Sequence, residues 1–122
     1  METFRIQSVA QLAGVRVHQL RYWGQTGLIR SSIKEASGSG FSLIYSEDDV
    51  TAAQQVGELR KQGVSLQKIR KAVARLTEQL PGRNVLVECN FTTDGKNIFV
   101  SGSNGLIDVS SNVQLELPFV ES

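Results

Sequence analysis

Leu80-Pro81-Gly82 divides this chain into two parts that cannot share one secondary structure. Proline has no amide hydrogen to give to a continuing helix, and glycine accepts the backbone angles that follow a helix end. Before this tripeptide, apolar residues recur at steps of three and four; after it, they alternate. The pattern predicts an α+β chain, with a helical domain over residues 1–80 and a small β appendage over residues 83–122. At 122 residues the chain has room for one moderate core and one small attachment.

Within the helical part, Ser8 is the expected N-cap of a short helix through Ala13, and Gly14 stops it. A second helix is expected over Arg16 to Gln25, with Val17, Leu20 and Gly24 on its inner face. Two short helices joined by a glycine-containing turn make a helix-turn-helix. From Leu28 to Tyr45 the helical period disappears. Two apolar stretches, Leu28 to Ile33 and Phe41 to Tyr45, flank Ser37-Gly38-Ser39-Gly40 and predict a hairpin. Ser46 followed by Glu47, Asp48 and Asp49 opens a third helix, with acid where the helix dipole favours it, and Gly63 closes it. Ser65 caps a fourth helix. Its stripe of Leu66, Ile69, Val73, Leu76 and Leu80 is either a dimerising coiled-coil seam or a face packed on its own domain.

After Gly82, Val85, Val87, Cys89 and Phe91 alternate with polar or opposite-facing residues, and Asp94-Gly95 and Asn104-Gly105 are turn signals. Strands are expected over this first stretch, Asn97 to Ser101 and Leu106 to Val109, with a last one through Val113, Leu115, Leu117 and Phe119. Such a small antiparallel meander must bury its apolar face on the helices or on a second copy.

A net charge of +1 hides an asymmetry: residues 1–82 carry eleven basic against seven acidic residues, residues 83–122 two against five. The basic part is the one able to meet phosphate. No apolar run approaches the ~20 residues of a membrane span, no secretory leader pattern opens the chain, and Cys89 is a lone cysteine, so a cytoplasmic location is expected. Cys89 on an alternating strand reads as a small buried hydrophobe rather than a ligand, and His18 is the sole histidine. No phosphate-binding loop is present either. No metal, no cofactor and no catalytic residue is expected, and the chain reads as no enzyme.

The second helix carries the chemistry. His18, Gln19 and Tyr22 project opposite its expected inner face, with Arg16 at its start and Arg21 on a flank. In a major groove Gln pairs with adenine and Arg with guanine, while Tyr donates to phosphate. The same face equally describes the wet side of a surface helix. Lys68, Arg70, Lys71 and Arg75 likewise fit either flanking phosphates or a solvated face.

The ordered series SVAQLAGV, LRYW, GLI, IYS, an acidic helix start and LRKQGVSLQKIRK, over roughly Phe4 to Leu76, resembles the winged helix-turn-helix DNA-binding domain of MerR-type transcription regulators. The resemblance implies a recognition helix over Arg16 to Trp23, a wing over Leu28 to Tyr45 and a homodimer on pseudo-palindromic duplex DNA. It places Arg16, His18 and Gln19 towards the groove and Arg21 and Tyr22 near the backbone. Trp23 and Tyr45 are expected plugs between recognition helix, wing and third helix, and Tyr45 also stands within reach of DNA. The chain departs from the family in three places. Its wing has Phe41-Ser42 where a Tyr-Arg pair is usual, leaving Arg30 or Lys34 to contact phosphate; Gly24 replaces an acidic residue; and Pro81 with the β segment stands where a long dimerisation helix is usual. Residues 83–122 are thus the expected dimer or partner-protein surface. Two other readings use the same helices: an antitoxin-like module whose β segment covers a partner protein, and an excisionase-like DNA-bending factor.

Overall fold

The computed structural model describes residues 2–31, 44–102 and 105–110. They fall into two compact units, Met1–Glu58 and Leu59–Ser122. The division lies inside a helix, whereas Leu80-Pro81-Gly82 marks a helix end within the second unit.

The first unit opens with strand β1 (Thr3–Arg5), which runs straight into helix α1 (Ile6–Ala13). The helix starts at Ile6 rather than after Ser8, because Arg5 holds the extended N-cap conformation and Ile6, Val9, Ala10 and Ala13 form one buried stripe. Gly14, at φ 71°, ends it, and the amides of Gly14 and Val15 both return to the Ala10 carbonyl. Only a residue tolerant of the left-handed region closes a helix this way without strain. Three residues later helix α2 (Val17–Gln25) begins.

Strand β2 (Ile44–Ser46) pairs antiparallel with β1, Phe4 opposite Tyr45, and leads directly into helix α3 (Glu47–Lys61). Ser46 and Asp49 form a reciprocal capping box: the Ser46 amide donates to Asp49 Oδ2 at 2.9 Å and the Asp49 amide to Ser46 Oγ at 3.2 Å. Val50, Ala53 and Val56 are buried along α3. Leu28 to Ser31 form no strand, and the rest of the expected hairpin, residues 32–43 with Lys34, lies outside the described residues.

Gly57 lets α1 approach α3. A Cβ at this position would stand 2.5 Å from the Ala13 carbonyl oxygen and 3.1 Å from Val15 Cγ1. One residue pair along, Gln54 Nε2 donates to the Leu12 carbonyl at 3.4 Å, serving the end of α1 where carbonyls lack helical partners.

In the second unit, Gly63 at φ 98° separates α3 from helix α4 (Leu66–Gln79), and Ser65 Oγ accepts the Lys68 amide as the expected cap. Ile69, Leu76 and Leu80 are buried and Leu66 and Val73 half-buried within one chain, so most of the apolar stripe packs on its own chain, in line with the second of its two readings. The expected first strand is instead a helical turn, α5 (Val85–Glu88). Val85 and Leu86 are both buried, which a strand could not arrange on one face. The Asn84 carbonyl accepts from Val87 and Glu88, while the Glu88 carboxylate returns to the Asn84 amide at 3.3 Å. Strands β3 (Phe91–Thr93), β4 (Ile98–Gly102) and β5 (Gly105–Asp108) then form an antiparallel sheet in that order. Asp94 Oδ1 accepts the amides of Lys96 and Asn97 in the β3–β4 turn, which holds its carboxyl below the usual aspartate range. Asn104 and the expected strand through Val113 and Phe119 lie outside the described residues.

The close approach at Gly57 decides the sign of one substitution. Replacing a mid-helix glycine by alanine ordinarily stabilises a helix by up to about 1 kcal/mol, but overpacking against backbone costs about 1–3 kcal/mol. Gly57→Ala is therefore expected to lower the thermal midpoint followed by circular dichroism; a raised midpoint would show that α1 and α3 have room for a methyl group.

Candidate nucleic-acid interface

Helix α2 is anchored by Leu20 and Trp23, at 0% and 2% exposure. With those two fixed inward, the helical period turns His18, Arg21, Tyr22 and Gln25 outward, and all four are exposed. Tyr22 stands 52% exposed, a large aromatic presented to solvent. The inner face is thus rotated from the expected one: Trp23 replaces Gly24 and the half-buried Val17 as the partner of Leu20. The rotation adds Gln25, which the sequence reading missed although it lies seven residues after His18, two turns along the same face.

Gln19 sits on the flank of this face, half-buried, and its Oε1 accepts the Arg16 amide at 2.9 Å. This is half of a capping box; the Arg16 guanidinium has no acceptor with which to return the bond. Bidentate pairing with adenine needs the amide oxygen as well as the amide nitrogen. While it caps α2, Gln19 keeps Nε2 and one lone pair of Oε1 free, but the cap fixes how its amide is oriented.

The end of α2 is closed by Thr26, whose amide and hydroxyl both donate to the Tyr22 carbonyl, and by Leu28 and Ile29, whose amides donate to the Trp23 carbonyl. The chain then passes Arg30, exposed, and Ser31, whose hydroxyl donates to the Ile44 carbonyl. Tyr45 is the expected plug, at 1% exposure, and meets solvent only through the lining of one cleft. Burial, reinforced by the charge of Asp49 and opposed by Arg21, pushes its phenol above the ordinary tyrosine range. Arg16, His18, Arg21, Tyr22 and Arg30 all lie at the surface of one unit, with Gln19 among them as a cap.

Elsewhere, burial pushes the Cys89 thiol up, Glu88 adding to the shift and Arg83 opposing it, so the thiolate is disfavoured. Among the described residues no group of three or more His, Cys, Asp or Glu comes together to hold a metal, and no helix is long and apolar enough to cross a membrane.

Two helices joined by a tight glycine turn, the second fixed from below and polar above, define a helix-turn-helix module of the DNA-binding kind. Residues 4–76 match the profile of the MerR HTH family of regulatory proteins, and the chain belongs to that family. It is 35% identical over 96 residues to uncharacterized HTH-type transcriptional regulators of Mycobacterium tuberculosis and Mycobacterium bovis, covering 79% of this chain and 42% of theirs. It is 34% identical over 74 residues to the nodulation protein NolA of Bradyrhizobium elkanii, covering 61% of this chain and 32% of that protein. The chain thus spans less than half the length of these curated relatives. A crystal structure of a MerR-family transcriptional regulator from Bacillus cereus superposes with a TM-score of 0.51 at 26% identity, over 60% of this chain and 52% of that one. Family membership makes the matched region a DNA-binding regulatory module rather than an enzyme.

The capping bond carries its own test. Gln19→Ala removes the acceptor of the Arg16 amide and is expected to lower stability by about 0.5–1 kcal/mol in urea unfolding, with Gln19→Glu restoring it. Equal stability of wild type and Gln19→Ala would remove Gln19 from the cap.

Proposed function

We propose that this chain binds duplex DNA sequence-specifically as a homodimer and regulates transcription, with α2 lying in the major groove. The observation that carries the reading is the outward face of α2, where His18, Arg21, Tyr22 and Gln25 stand exposed over buried Leu20 and Trp23. A helix whose inward side is locked offers a duplex a rigid set of donors, and side chains on such a face meet bases and phosphates together. In this reading His18 and Arg16 contact base edges, Gln19 contributes Nε2, and Arg21, Tyr22 and Arg30 contact the backbone. Residues 1–80 are the DNA-binding domain and residues 83–122 the dimerisation or partner segment. The edge strand β5 supports that second role, since it exposes Leu106 at 62%. Edge strands with exposed apolar side chains are ready sites for pairing with another chain.

Selection of bound duplexes from a random library tests the function directly. An enriched motif with two related half-sites about one helical turn apart is expected. His18→Ala should then lose about 1–3 kcal/mol of discrimination at one position of each half-site, whereas Arg21→Ala should weaken all duplexes alike. No enriched motif, with uniform weak binding, would reduce the function to non-specific DNA contact. For the dimer, Leu106→Lys is expected to shift sedimentation towards the monomer; a dimer unchanged by it would move the contact away from β5.

A further inference from the structure

Resting on the DNA-binding reading, we infer that the cleft at the C-terminal end of α2 seats a single phosphodiester group of the duplex, shared between Arg21 and Arg30. The cleft holds about 330 Å³ and is lined by Arg21, Gly24, Gln25, Arg30, Ser31 and Tyr45. Two guanidinium groups thus border one concavity that has no carboxylate in its described lining, and neither arginine has an acidic partner among the described residues. Asp49 acts on Tyr45 from beneath but does not line the cleft, and an oxyanion placed between the two like charges on its border turns their repulsion into attraction. The guanidinium fork matches the geometry of phosphate oxygens, and two forks can hold one group from both sides.

The rest of the lining keeps the seat open. Gly24 presents no side chain, and a Cβ at Gly27, strained already at φ 84°, would stand 3.4 Å from Arg30 Nη2. The Ser31 hydroxyl is committed to the Ile44 carbonyl and holds the rim. Tyr45 forms the floor as a neutral phenol. Arg21 belongs both to this cleft and to the outward face of α2, so a duplex laid on that face brings its backbone to the cleft mouth. The seat also supplies from the scaffold a phosphate contact for a chain whose wing sequence has Phe41-Ser42.

The salt dependence of binding counts phosphates and therefore tests sharing. Each neutralised phosphate contributes about 0.9 to the slope of log affinity against log salt. With the full chain and its selected duplex, Arg21→Ala and Arg30→Ala are each expected to weaken binding about tenfold. Because both protomers of the proposed dimer carry the change, the double variant should lower the slope by about 1.8, one phosphate's worth in each half-site. Lysine at either position should restore slope more than affinity, because it keeps the charge and loses the fork. A double-variant slope lower by about 3.6 would mean two separate phosphates in each half-site and would overturn the shared seat, as would Arg30→Ala binding unchanged. Sodium phosphate at fixed ionic strength should not raise the thermal midpoint. A rise abolished by Arg30→Ala, with duplex binding intact, would assign the cleft to a small free oxyanion instead. Wild-type protein that selects no duplex would sink the DNA-binding reading itself, a result distinct from selective binding that ignores Arg30.

Discussion

The placement of helix α2 depends on one close backbone approach. Where α3 passes the end of α1, Gly57 has no side chain, and the Ala13 carbonyl occupies the space a methyl group would need. Gln54 ties the neighbouring Leu12 carbonyl to the same helix. With the end of α1 fixed against α3, the Gly14 turn has a fixed origin, and α2 leaves it in a fixed direction. Burial of Leu20 and Trp23 then sets the rotation of α2 about its axis. Direction and rotation together decide which side chains a duplex would meet, and neither is determined by α2 alone.

Function and stability compete within α2 for the same atoms. Gln19 is chemically the best adenine reader on the helix, yet its amide oxygen closes the first turn. Arg16 is the reciprocal case: it occupies a cap position without the means to cap and stays exposed. On the proposed DNA face, such a local departure from good helix-capping chemistry is the kind of conflict that binding sites retain.

Much of this architecture was legible in the residues because its signals are local. Ser46-Glu47-Asp48-Asp49 and Ser65 announced helix starts, and both caps form. Gly14 and Gly63 announced ends, and both adopt positive φ. What escaped depends on distant partners. Strand β1 is three residues long, too short to show a period, and exists through pairing with residues forty positions away. The turn of helix at Val85–Glu88 carried a strand-like alternation, overruled once Val85 and Leu86 were buried together and Glu88 reached back to Asn84. For α2, residue types located the helix, but its rotation depended on how Leu20 and Trp23 pack beneath it, so Gln25 on the outer face was missed.

The pairing of β1 with β2 makes a clasp. Residues 3–5 and 44–46 are hydrogen-bonded neighbours, and Ser31 reaches the Ile44 carbonyl, so the two flanks of segment 32–43 are joined by the scaffold itself. Once a loop's ends are held together, doubling its length costs only about 0.6 kcal/mol of closure entropy. The chain between these flanks can therefore change in length, during evolution or by design, at little cost to the helix-turn-helix that the clasp holds.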